Sequence, residues 1–279
     1  MSPDNTKTEN ALAIIENSNL PVAVREQLQL EATKTAKEMM DNIDYRPPKI
    51  KIAPGGSNNF LFGKDETASK SFRGIVLGFI KANAFWLKIS KDGKVMPGQI
   101  EFDLPEGFNP DLPICFSLGG IVGSRPVETV AYQNKPVTCF GHCDKSECFI
   151  NNFGTAIDEH GNPGKGKACK NGRRLVVIPE GEQLPFIFTI PPTSLSGWDS
   201  YIAELASKKI VIWTIWTRFG LEKESGGSYN YSTILPTVDQ PIEEELLSPI
   251  CDALTNYKSK ILKLSIEEEE FVDAEISDA

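Results

Sequence analysis

The chain has 279 residues, 40% hydrophobic, 24% charged and 9% aromatic, the balance of a globular protein and not of a fibrous or disordered one. Its formal charge is −9, but seven acids and no Lys or Arg fall within 267–279, which leaves the rest of the chain with 29 cations against 31 acids. The body is therefore close to neutral and compatible with a polyanionic partner, and no run approaches the roughly 18 apolar residues of a membrane span.

Residues 1–10 are polar and carry no basic segment followed by an apolar core, so no secretory signal and a cytoplasmic location are expected. Ala11 to Glu16 and Pro21 to Ile43 predict helix, Pro21 standing near a start where its missing N–H costs little. Leu28, Ala32, Thr35, Ala36, Met39, Met40 and Ile43 keep a rough 3–4 spacing, so this helix is expected to be amphipathic. Pro47 and Pro48 stop it, and Lys49 to Ala53 alternates as a half-buried strand does.

Strand is predicted at Phe60–Gly63 and at Phe72–Leu87 with a break around Lys81–Asn83, then at Ile100–Phe102, Ile114–Leu118 and Val127–Tyr132. Gly74 and Gly78 mark bends of the kind that small, strongly coiled barrels need. Residues 133–174 form a Cys-, Gly- and Lys-rich excursion too poor in large apolar groups to make its own core. Leu175–Ile178 and Leu184–Ile190 read as a hairpin, and Thr193 or Ser194 caps a helix from Leu195 to Ser207. Lys208–Phe219 reads as a strand rich in β-branched and aromatic residues, 225–232 as a polar loop, and Pro241–Leu264 as a helix bent near Pro249. The expected fold class is mainly β (α+β). It comprises an N-terminal helical arm at 1–48 and an OB-like barrel at 49–240 with a zinc-binding loop insertion at about 133–174. A C-terminal helix at 241–264 and a disordered acidic tail at 265–279 follow.

Six cysteines in a reducing compartment point to thiols or metal ligands, and four of them fall between Cys139 and Cys169. Cys115, Cys139, His142, Cys143, Cys148 and Cys169 are the candidate donors for a structural Zn2+, which takes four thiolate or imidazole ligands in a tetrahedron. A long excursion with little Leu, Ile or Val needs something besides apolar burial to organise it, and zinc would serve. The alternative is that these are ordinary buried cysteines acting as small hydrophobes. A redox pair or catalytic thiol is not expected, because neither a CxxC nor a Ser/His/Asp arrangement accompanies them.

Three strings, LPICFSLGGIVGS at 113–124, CDKSECFINNFGTA at 143–156 and GKGKACKNGRRLVVIP at 164–179, resemble a family of tailed-phage and prophage proteins. In that family a Pro-x-Cys-x-Ser strand end precedes a Cys pair, an Asn-x-Phe/Trp-Gly-Ser/Thr element and a Gly-Lys-Ala-Cys stretch. The resemblance covers about residues 50–220 and implies Cys115, Cys143, Cys148 and Cys169 as the metal quartet, with Cys139 or His142 as alternates to Cys115. Two departures stand out: the family's Cys pair is tighter than Cys143–Cys148, and its acidic residue after Ser117 is replaced by Leu118–Gly119.

Lys165, Lys167, Lys170, Arg173 and Arg174 surround Cys169 with no acid in 164–174, a cationic loop suited to phosphate or simply a solvated basic loop. Alternation along the strand puts Trp216 and Arg218 on one face, where they would stack on and neutralise single-stranded nucleic acid unless that face is core. Tyr229 and Tyr231 sit in a Gly/Ser segment with little to pack against. Cationic and aromatic patches with an acidic tail resemble the phage and bacterial single-stranded DNA-binding proteins. The expected function is therefore sequence-independent single-stranded DNA binding in replication or recombination, with no chemistry, and with protein partners docking on residues 267–279. A metal-dependent nucleic-acid enzyme and a protein–protein adaptor acting through the tail are the alternatives. Against the enzyme, four cysteines close the zinc shell and no HExxH or Walker sequence is present.

Overall fold

The computed structural model describes residues 18–41, 46–54, 56–87, 113, 115–119, 121–124, 130–132, 135–137, 148–157, 162, 164–225 and 230–264. The predicted helix at 11–16, the strand at 100–102 and the acidic tail lie outside these residues.

The chain divides into two units, Met1–Arg46 and Pro47–Ala279. The first contains helix α1 (Val22–Asp41), begun by the Pro21 carbonyl accepting the Val24 and Arg25 amides at 3.0 Å. Val24, Leu28 and Met39 share the face of the expected apolar stripe and are exposed, as is Leu30, nearly opposite Leu28.

The second unit is mainly β. Its strands are β1 (Lys49–Ile52), β2 (Phe60–Phe62), β3 (Thr67–Ser69), β4 (Ser71–Phe85), β5 (Cys115–Leu118) and β6 (Ile121–Ser124). After β7 (Val130–Tyr132) and β8 (Lys135–Val137), a separate hairpin, come β9 (Lys170–Pro179), β10 (Phe186–Ile190), β11 (Ile215–Ser225) and β12 (Asn230–Pro241). Ten strands make one mixed sheet in the order β12-β11-β4-β9-β10-β1-β2-β3, with β5 and β6 joined to the far half of β4. Among the described residues, only β1 and β10 pair in parallel, and the remaining ladders are antiparallel.

Strand β4 is continuous through Lys81–Asn83, where a break was expected. It stays whole because β9 pairs with it from Gly74 to Ala84. Its bend is a one-residue slip between Val76 and Gly78 that leaves Leu77 unmatched and increases the local twist. A Cβ at Gly78 would run into the Lys258 side chain. The sheet curls until the loop between β1 and β2 reaches β12: Ser232 Oγ donates to the Ser57 carbonyl at 3.1 Å, and a Cβ on Gly56, whose φ is +67°, would stand 2.7 Å from Asn230 Cβ. This contact gives the unit its barrel-like form.

Both faces of the central strands are buried. On one, Phe60, Phe72, Phe188 and Phe219 pack edge-to-face and stacked, beneath Trp198, Tyr201 and Leu205 of helix α2 (Leu195–Ser207). On the other, Ile75, Leu77, Val176 and Ile187 pack against Ile250, Ala253 and Ile261 of the C-terminal segment, which is helix α3 (Leu247–Ala253), a π turn and helix α4 (Ser259–Leu262). Strand β12 is an edge, and it is protected. The Ile234 amide donates to Ser194 Oγ at 2.8 Å, and Pro236, whose amide position points the same way, has no N–H to offer.

Arg73 and Arg218 stand directly opposite on β4 and β11, an unfavourable pairing of like charges. Asp239 resolves it. The β11–β12 register slips by one residue beside it, and its carboxylate accepts from Arg73 Nη1 at 3.1 Å and Arg218 Nη2 at 2.8 Å. Glu180 also pairs with Arg73. Hydrogen bonds from Arg218 and then Arg73 hold the Asp239 carboxyl below its ordinary range, and the Arg73 bond does the same to Glu180, in each case against the opposing effect of desolvation. A carboxyl lowered on folding stabilises fully above its unfolded value of about 4 and loses that contribution as pH falls through the lower folded value. Stability measured by denaturant titration is expected to fall as the pH drops below about 4, and Asp239→Asn to flatten that fall; an unchanged acid limb in the variant would contradict the assignment.

Candidate nucleic-acid interface and metal centre

The cysteine-bearing segment folds back on the far end of β4. Cys115, the first residue of β5, is registered against Phe85, and Ala84 is registered against Lys170, so Cys169 comes immediately before β9 at that same end. Cys148 precedes a 3-10 turn, Phe149–Asn151, whose Ile150 carbonyl accepts the Cys169 amide at 2.9 Å. The topology thus carries three of the four expected donors to one end of the sheet, Cys169 buried and Cys115 and Cys148 half-buried. Cys143 and the alternates Cys139 and His142 lie outside the described residues. Among the described residues, no group of three or more His, Cys, Asp or Glu is gathered at metal-binding spacing. The donor chemistry, thiolates with a further Cys or His in the adjoining sequence, fits zinc better than a hard cation.

Polar bonds lock this segment to the sheet. Asn171 Nδ2 donates to Asn151 Oδ1 at 2.8 Å and lies 3.2 Å from the Cys169 carbonyl, and Asn83 Nδ2 donates to Ser117 Oγ at 2.9 Å. All four side chains are buried, where an unmade hydrogen bond costs about 1–3 kcal/mol. Thr155 adds a further tie: its Oγ1 accepts the Ala168 amide at 3.0 Å.

The expected binding residues do not behave alike. Lys165 is exposed, Lys167 and Lys170 are half-buried, and residues 164–174 hold five cations and no acid. Arg173 is engaged, its Nε and Nη2 donating to Asp199 of α2 at 3.2 and 2.7 Å. Arg174 is a correction. It is 0% exposed and donates to the Leu264 carbonyl, fixing the end of the C-terminal segment to β9. Trp216 is a second correction, 6% exposed, with its indole N–H given to Glu243 Oε2 at 2.9 Å and its ring 4.8 Å beneath Arg73. No base can stack there. Arg218 is half exposed but committed to Asp239. Tyr231, half-buried, is the second residue of β12 and stands opposite Glu224, and Tyr229 lies outside the described residues.

Two residues that the sequence reading passed over join the cationic end. Lys81, exposed on β4, is registered against Arg173 and therefore shares its side of the sheet. Phe153 is 79% exposed, with Lys167 Nζ 4.7 Å from its ring centroid. Its signal was present, since a Phe in the polar string INNFGT has as little to pack against as the two tyrosines.

No family model, curated protein or solved structure matches the chain, and no helix among the described residues is long and apolar enough to cross a membrane.

Proposed function

We propose that this protein binds single-stranded DNA without sequence preference, through the lysine-bearing rim at the far end of β4 and β9. The reading takes the curled sheet as an OB-like barrel and the cysteine segment as a zinc-organised insertion that holds the rim in shape. The observation that carries it is the run of five cations without an acid over residues 164–174, of which Lys165, Lys167 and Lys170 keep solvent access. Phosphate neutralisation by such lysines releases counterions, so affinity depends steeply on salt. Because both faces of the central sheet are covered, the strand is expected to follow the rim and not to cross the sheet. The acidic tail at 267–279 serves replication or recombination partners in a host cytoplasm.

Titration of labelled oligo(dT) followed by anisotropy tests the reading. Binding that weakens with salt and exceeds that for a duplex of equal length is the expected result. Absence of binding at low salt, or equal affinity for duplex, overturns it. Metal-dependent cleavage of the oligonucleotide would instead assign an enzyme, and capture of a partner without DNA binding an adaptor.

A further inference from the structure

Segments 150–156 and 164–169 are cross-linked into a stiff double loop. The Gly154 and Ala156 amides both donate to the Gly166 carbonyl, at 2.9 and 3.1 Å, and the Gly164 amide donates to the Ala156 carbonyl at 2.7 Å. At its tip the turn from Asn152 to Thr155 needs Gly154 at φ +85°, a conformation L side chains rarely adopt. Thr155 Oγ1 closes the turn, lying 2.6 Å from the Asn152 carbonyl. The one large side chain the turn presents is Phe153, which stays 79% exposed with Lys167 against its ring.

That arrangement costs apolar exposure while leaving the hydrophobic core untouched, and a fixed frame beneath an exposed ring lowers the ordering cost of binding. We infer that Phe153 is a stacking platform for an unpaired nucleobase, with Lys167 set to meet the phosphate of the same nucleotide. The ring supplies a π face that any base can cover, and the ammonium supplies charge within reach of the backbone. Bases in a duplex are already stacked, so this platform selects unpaired strand. The inference rests on the nucleic-acid reading above and adds to it the group that distinguishes single strand from duplex.

Phe153→Ala is expected to weaken oligo(dT) binding by about 5- to 150-fold while leaving the salt dependence unchanged, since no phosphate contact is removed. Lys167→Ala is expected to reduce the salt slope by about one. Phe153→Trp restores affinity, and its indole fluorescence falls on titration. Because Phe153 is exposed, the thermal midpoint of Phe153→Ala should match the wild type, which separates lost stacking from lost folding. Wild-type affinity in Phe153→Ala, with the native protein binding oligo(dT), overturns the platform and leaves the nucleic-acid reading standing. Failure of the native protein to bind any oligonucleotide overturns both.

Discussion

Phe219→Ala is expected to destabilise the second unit by about 3–5 kcal/mol, read as a shift in the midpoint of denaturant unfolding with an unchanged slope. Phe219 is fully buried, stacks on Phe72 at 4.7 Å, meets the edge of Phe188 at 5.4 Å and faces Trp198 at 6.4 Å. Truncation removes the transfer energy of the ring and opens a cavity among three other rings. These belong to β4, β10 and α2, so the site cannot collapse without moving three elements. An effect below about 1 kcal/mol would mean that this aromatic cluster is not the core. Two phenylalanines of equal chemistry thus make opposite predictions: Phe219→Ala is expected to change stability, whereas Phe153→Ala is expected to change binding alone.

Chelation is expected to have the second large effect. If Cys115, Cys148 and Cys169 hold zinc with one further donor, purified protein contains one equivalent of metal, and cobalt substitution gives the absorption of thiolate ligation. Structural zinc contributes on the order of 10 kcal/mol to small domains that have little else. Here the segment also has the Asn151–Asn171 bond, the Thr155 tie and the backbone bond from the Cys169 amide to the Ile150 carbonyl. Metal removal is therefore expected to open the described segments beside Cys148 and Cys169 to protease while the sheet around Phe219 stays folded. Cys169→Ser should reproduce the chelator's effect. Metal-free protein with an unchanged proteolysis pattern would remove zinc from the account and leave the buried amides as the organising force.

Much of the architecture was legible wherever one local signal dominated. Helix α2 matches its predicted limits, Leu195–Ser207, because two prolines and an apolar 3–4 pattern agree. Even there the expected cap is used otherwise, for Ser194 Oγ binds the Ile234 amide of β12 and not its own helix. The run Lys208–Phe219 misled. Its first half is a connection with Lys209 at φ +56° and a 3-10 turn at Ile212–Thr214, and the strand starts only at Ile215. Ile210 and Ile212 are apolar because they pack on the core beside α2, a tertiary demand that strand propensity cannot distinguish. Strand β12 was missed because Pro236 and Pro241 argue against a strand, although an edge strand tolerates both. At the candidate site, the cysteine clustering and the lysines were readable from composition. The fates of Trp216 and Arg174 were not, because they depend on the C-terminal segment covering the second face of the sheet.

The guarded margin of β12 bears on how densely the molecules can be packed. With Ile234 already hydrogen-bonded, Pro236 lacking a donor and Ser232 tied to the loop at Ser57, a neighbouring copy finds no continuous row of amides on which to zip. Copies brought to high local concentration are therefore not expected to join their sheets through β12.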